Sequence, residues 1–148
     1  MLTRQQFCTF FVNDRFFGIP VDRVQEVIQW QDITRVPLAS NVIEGLINLR
    51  GDIVMAVDLR RRLAIGDRPA TVAPVNVVVR CADGPASLLV DSIGDVVEVD
   101  QGSFENSPPG LEANMRSLIT GIYKLPGKLM HVLDIDSACQ ILNDGEPA

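Results

Sequence analysis

The chain has 148 residues, of which 47% are hydrophobic and 22% charged, with a formal net charge of −6. That size suits one domain able to bury about 70% of the surface its unfolded form exposes. The acidic balance excludes a nucleic-acid partner, which selects basic faces, and six Phe, one Tyr and one Trp are too few for a base-stacking platform.

No apolar run approaches the roughly 20 residues of a membrane span, and Met1 to Gln6 lacks the basic-then-apolar order of a secretory signal. These features imply a cytoplasmic protein without direct membrane insertion. A mean hydropathy of +0.18 then requires a large core, an apolar partner surface, or both.

In chain order, Phe7 to Val12 and Arg15 to Ile19 read as strands rich in aromatic and β-branched residues. Pro20 and Val21 open a single helical turn through Val24, because proline suits a first helical position. Glu26 to Ile28 and Ile53 to Val57 continue the strand pattern. Asp58 then caps a short helix from Leu59 to Leu63. Gly66 to Pro74 reads as a loop. Val75 to Arg80, Ser87 to Val90 and Val96 to Val99 are further strands. Asp100 to Asn114 reads as a second loop, with Gly102, Ser107, Pro108, Pro109 and Gly110. Lys128 to Leu133 is a strand, followed by a helix from Ser137 to Leu142 capped by Asp134 or Asp136. Residues 143–148 form a frayed tail. Many short strands with no long helical period imply an all-β barrel or sandwich.

An internal repeat organises these elements. Gly45-Leu-Ile-Asn-Leu-Arg-Gly-Asp-Ile-Val-Met-Ala-Val-Asp-Leu59 aligns without gaps on Gly121-Ile-Tyr-Lys-Leu-Pro-Gly-Lys-Leu-Met-His-Val-Leu-Asp-Ile135. Upstream, Val21-Asp-Arg-Val-Gln-Glu-Val27 parallels Val90-Asp-Ser-Ile-Gly-Asp-Val96. The chain therefore reads as two similar β modules sharing a seam, each too small to bury its apolar face alone.

The same residues carry a family resemblance. Gly18-Ile-Pro-Val-Asp-Arg-Val-Gln-Glu-Val-Ile28, Thr34-Arg-Val-Pro37, Gly45 through Gly51, Val57-Asp-Leu-Arg60, Leu89-Val-Asp91, Asp95-Val96 and Gly121 through Asp136 resemble the CheW-type chemotaxis coupling family. The resemblance runs over one domain, residues 7–142. It implies two SH3-like five-stranded β-barrel subdomains packed side by side, with short helices including one at the C-terminus. It also implies two partners, the cytoplasmic hairpin tip of a chemoreceptor and the regulatory domain of a CheA-type kinase. Such an adaptor is recruited to membrane-associated receptor arrays. Ser40 and Met55 stand where the family often has proline. A regulatory module of a sensor kinase, or an adaptor of a twitching-type pathway, is the alternative within the family.

Candidate chemistry weighs less. Asp58 and Asp134 are equivalent in the repeat, as a carboxylate dyad of a hydrolase would require, but neither is followed by the Ser/Thr-Gly of aspartic proteases; helix capping explains both. Asp134 and Asp136 lack the further oxygen ligands of a calcium or magnesium site. His131 has no nucleophile in a Gly-rich turn beside it and reads as structural. Cys8, Cys81 and Cys139 are widely spaced without a CxxC pair, and read as reduced structural thiols. Arg60, Arg61 and Arg62 read as a solvated helix face. The sequence supplies no catalytic set, metal site or cofactor.

A charge in an apolar hairpin needs a partner, so Arg50 pairs naturally with Glu26, which interrupts an apolar strand. The resemblance places that pair near a receptor-binding face, together with Gly45. Val24 and Ile93 are equivalent in the repeat, as are Val27 and Val96. Two barrels about an approximate two-fold axis bring such segments to one seam, where a groove could take apolar anchors from a helix. The predicted receptor surface is thus Val24, Glu26, Val27, Gly45, Arg50, Ile93 and Val96. The competing expectation is that the apolar members are inter-barrel core.

Overall fold

The apolar alternation at the N-terminus supports a strand β1 at Arg4–Val12, which turns through Asn13, in the left-handed region that asparagine tolerates, into β2 at Arg15–Pro20. The structure is a computed structural model and describes residues 3–29, 31–36, 41–66, 69, 71–106 and 111–140. A 3₁₀ turn at Val21–Arg23 leads into β3 at Val24–Ile28. The first repeat hairpin is β4 (Ile43–Leu49) and β5 (Asp52–Asp58), followed by α1 (Leu59–Arg62). Then come β6 (Val75–Cys81), β7 (Gly84–Val90) and β8 (Ser92–Asp100). The last elements are α2 (Ala113–Leu118), the second hairpin β9 (Ile119–Leu125) and β10 (Lys128–Leu133), and α3 (Ile135–Cys139).

The strands form two five-stranded sheets, ordered β8-β1-β2-β10-β9 and β3-β6-β7-β5-β4. Each contains one parallel pair, β2–β10 or β5–β7, at the same place in the order. Neither sheet is one sequence repeat. The opening pair β1–β2 completes its sheet with β8, β9 and β10, and the middle pair β6–β7 completes the other with β3, β4 and β5. The repeats have exchanged their first two strands, so neither SH3-like subdomain can fold from a contiguous half of the chain.

Both sheets close on themselves. The chain beyond β3 bridges to the opposite edge through Thr34 and Leu46, and the chain beyond β8 does the same through Glu105 and Ile122. These bridges explain the repeat's shared glycines. A Cβ on Gly45 would overlap the Thr34 carbonyl, and one on Gly121 the Glu105 carbonyl and the Phe104 ring.

Strand alternation sends side chains to two kinds of core. One barrel interior holds Phe7, Phe16, Val99, Tyr123, Met130 and Val132. The other holds Ile47, Leu49, Val54, Ala56, Val78 and Leu89. The opposite faces of β1, β2, β6 and β7 meet at the seam, where Phe10, Phe17, Val77, Leu88 and Val90 pack with Leu59 and Leu63 around α1 and with Leu118 and Ile135 from α2 and α3.

Three differences from the sequence-based expectations have physical causes. Asp134 accepts from both Ser137 N–H and its hydroxyl, so α3 starts at Ile135, two residues before the expected Ser137; its expected extension to Leu142 and the tail 143–148 lie outside the described residues. The expected loop from Asp100 ends instead in α2, stabilised by the burial of Met115 and Leu118 at the seam. The arginine run is not a solvated face. Arg60 is 8% exposed and grips Asp91 with two guanidinium nitrogens, Nε at 3.0 Å and Nη2 at 2.6 Å. Arg61 bridges Glu44 and Asp58, and Arg62 donates to the Ser137 carbonyl across the seam. Burial lowers the Arg62 pKa from its ordinary value.

Candidate partner-binding surface

The outermost strand of each sheet on one side, β3 and β8, carries five of the seven residues predicted from sequence. On β3, Val27 is 44% exposed; on β8, Ile93 and Val96 are 42% and 57% exposed. They are large apolar side chains that remain exposed on these two outer strands. Val24 differs: it is half-buried and packs against the seam cluster. The inter-barrel-core expectation therefore applies in part to Val24 and not to Ile93 or Val96. A shallow cavity of about 410 Å³, lined by Arg4, Gln5, Gln6, Val21, Asp22 and Glu98, sets the β1–β8 edge beside the turn that enters β3.

Arg50 reaches Glu26 as the sequence suggests. Its Nη1 donates to Glu26 Oε2 at 2.7 Å, with the arginine side chain 76% exposed and the glutamate 19%. The pair spans from β3 to the β4–β5 turn and so ties together the two edges of one barrel. Arg50 and Gly51 both have positive φ, 54° and 91°, as a two-residue hairpin turn of matched twist requires. The Asn48 side chain caps the turn by accepting from Gly51 N–H. An arginine in the left-handed region is strained by roughly 1–2 kcal/mol, and the turn holds it beside Glu26. Gly45 does not belong to this surface: it is buried under Thr34, and the packing that explains Gly121 explains it too.

The remaining polar candidates have structural partners. Asp58 accepts from Arg60 N–H and Arg61 N–H, the same cap that Asp134 provides to α3. His131 Nδ1 lies 3.2 Å from the Phe16 carbonyl, an acceptor only, so that nitrogen carries the proton; the contact supports the parallel β2–β10 pair. Asp136 accepts from Arg23 at 2.9 Å and from Ala82 N–H. Among the described residues no three His, Cys, Asp or Glu side chains are grouped to hold a metal ion. None of the described helices is long and apolar enough to cross a membrane.

Two features are absent from the sequence-based expectations. Ile53 and Leu129, equivalent positions in the two repeat hairpins, are exposed at 64% and 41%. The repeat alignment pairs them, but strand periodicity does not say which face is covered. Cys81 and Cys139 also meet: both line a cavity of about 350 Å³ with Ala82, Asp83, Asp134, Asp136, Ser137 and Gln140. The interaction of the two thiols lowers the Cys81 pKa, with help from Arg23 and against burial, Asp136 and Asp83, while the same interaction and burial raise that of Cys139.

The CheW-like domain model matches residues 6–142. The chemotaxis protein CheW of Bacillus subtilis (strain 168) is 30% identical over 135 residues, covering 91% of this chain and 86% of that one. CheW of Rhizobium meliloti (strain 1021) is 28% identical over 133 residues, covering 90% and 86%. Among solved structures, the scaffolding protein TtCheW from Thermoanaerobacter tengcongensis superposes with a TM-score of 0.86 and 27% identity, covering 98% of each chain.

Proposed function

The chain belongs to the CheW-like domain family, and from that premise we propose that it is a non-catalytic cytoplasmic adaptor coupling chemoreceptors to a CheA-type histidine kinase in a chemosensory array. The observation that carries this reading is that Val27, Ile93 and Val96 are exposed apolar residues on the two outer strands, on the strand faces whose paired residues Val77, Phe10 and Cys8 belong to the seam, with the Glu26–Arg50 pair on the other face of β3. A helical hairpin tip can lay apolar anchors along such a face, while the ion pair, already formed and directional, fixes its orientation. Val24, half-buried at the seam, supports the floor of that face.

An adaptor needs a second surface for the kinase. Ile53 and Leu129 supply exposed apolar contacts on the hairpins of the two barrels, suited to a regulatory domain that is itself β-rich. Reconstitution tests the assignment. Purified chain should raise receptor-dependent kinase phosphorylation and leave kinase activity unchanged without receptor. Val96→Asp should lose the receptor fragment and keep the kinase, whereas Ile53→Asp should do the reverse. Turnover of a substrate by the purified chain alone, or loss of both partners together in a folded Val96→Asp protein, would reject the reading.

A further inference from the structure

We propose that Cys81 and Cys139 form a peroxide-sensitive thiol pair, with Cys81 as the attacking thiol and Cys139 as the resolving one, closing to a disulfide that staples the two barrels whatever partner the chain binds.

Geometry carries it. The two residues are remote in sequence but share one open cavity. Cys81 ends β6 at the Ala82–Asp83 turn and is partly exposed, so an oxidant can reach it. Cys139 ends α3 and is buried behind it. Because α3 packs on β6, the two side chains lie close enough to interact, and a disulfide between them requires the sulfurs to approach to ~2 Å. The third cysteine, Cys8, lies on β1 and does not line that cavity, so it provides an internal control.

The local charges assign the roles. The contact with Cys139 favours proton loss from Cys81 and Arg23 assists, while burial, Asp136 and Asp83 oppose it; Asp136 is itself paired with Arg23. Cys81, partly exposed on this cavity and with its pKa lowered by its contact with Cys139, is the more reactive thiol of the pair. Burial raises the Cys8 pKa, which makes it the slower thiol.

The chemistry balances with hydrogen peroxide as oxidant. The Cys81 thiolate attacks one peroxide oxygen; an S–O bond forms, the O–O bond breaks, and hydroxide leaves to become water. Cys139 then gives up its proton and attacks the Cys81 sulfur. The S–S bond forms as the S–O bond breaks, and the second hydroxide takes the released proton as a second water. Two thiols are oxidised and one peroxide is reduced.

The bond would join β6 of one barrel to the helix that follows β10 of the other, closing a loop of roughly 60 residues in the unfolded chain. Mild peroxide treatment of the purified, unsubstituted chain should consume two of its three thiols, with peptide mapping linking residues 81 and 139. The melting temperature should rise by roughly 10 °C and return on reduction. Cys81→Ser should abolish both effects and Cys8→Ser should leave them. Cys139→Ala should leave a sulfenic acid on Cys81 that dimedone captures. Modification of Cys8 before Cys81, over-oxidation of Cys81 while Cys139 stays reduced, or no thiol loss would overturn the proposal. Each of these is read on the unsubstituted protein, so a variant that fails to fold does not protect it.

Discussion

The Glu26–Arg50 pair should contribute little to folding and much to binding. Its contact is short, 2.7 Å, and the glutamate is only 19% exposed, but the arginine is 76% exposed, so water screens the pair from that side. Exposed pairs of this kind contribute about 0.2–1 kcal/mol to stability. Against that stands Arg50's φ of 54°, which costs a non-glycine residue roughly 1–2 kcal/mol. Arg50→Gly removes both terms and should leave stability within about 1 kcal/mol of the parent, a change of only a few degrees in melting temperature. Arg50→Ala keeps the strain, loses the pair, and should be slightly less stable. Once a receptor hairpin covers the pair, screening falls, and coupling of about 1.5 kcal/mol or more is expected in binding. A double-mutant cycle with Glu26→Gln and Arg50→Ala, read by urea denaturation and by calorimetry with a receptor hairpin fragment, separates the two. Stability coupling above about 2 kcal/mol, or additive effects on binding, would refute the reasoning.

Other outcomes rest on the seam and the closures. Arg60→Met should cost about 3–5 kcal/mol in urea denaturation because it takes the guanidinium away from the buried Asp91 carboxylate, and adding Asp91→Leu should restore most of the loss; a single variant within about 1 kcal/mol of the parent would contradict a buried pair. Gly45→Ala and Gly121→Ala should each destabilise by about 1–3 kcal/mol, measured the same way, since the new methyl meets backbone carbonyl that cannot move aside. Val96→Asp should leave stability within about 0.5 kcal/mol, whereas Val24→Asp should cost about 2 kcal/mol or more because Val24 packs on the seam cluster; equal costs would show that the two positions share one environment.

Local signals make the elements legible. Asp58 and Asp134 announce their helices, alternation locates the strands, and the repeat alignment matches the two hairpins residue for residue. The exchange of strand pairs is not legible, because pairing β2 with β10 or β5 with β7 depends on contacts far apart in the chain. The same limit hides Arg60–Asp91 and the meeting of Cys81 with Cys139. The arginine run misleads for a related reason: composition describes Arg60, Arg61 and Arg62 alike, while the helix turns only Arg60 fully into the seam. At the candidate surface, charge logic finds Glu26 and Arg50 because an isolated charge in an apolar hairpin asks for a partner. It does not separate Val24 from Val96, which differ only in what lies beneath them.

The near two-fold symmetry also explains why the surface is one-sided. Helices α1 and α3 each carry an ion pair to the chain that follows an earlier strand: Arg60 of α1 with Asp91 after β7, buried, and Asp136 of α3 with Arg23 after β2, more exposed. Val27 and Val96 repeat as exposed apolar residues. The Glu26–Arg50 pair does not repeat, because the position matching Glu26 is Asp95, and the one matching Arg50 is Pro126, which carries no charge. A helical hairpin is itself nearly two-fold, so on apolar contacts alone it could seat in either of two orientations with similar energy. An ion pair present on one side only penalises the wrong orientation, since reversing the hairpin would bring the groups meant for Glu26 and Arg50 to Asp95 and Pro126. On the proposed receptor assignment, the apolar edge strands set how tightly the hairpin binds, and the unrepeated Glu26–Arg50 pair sets which way round it binds.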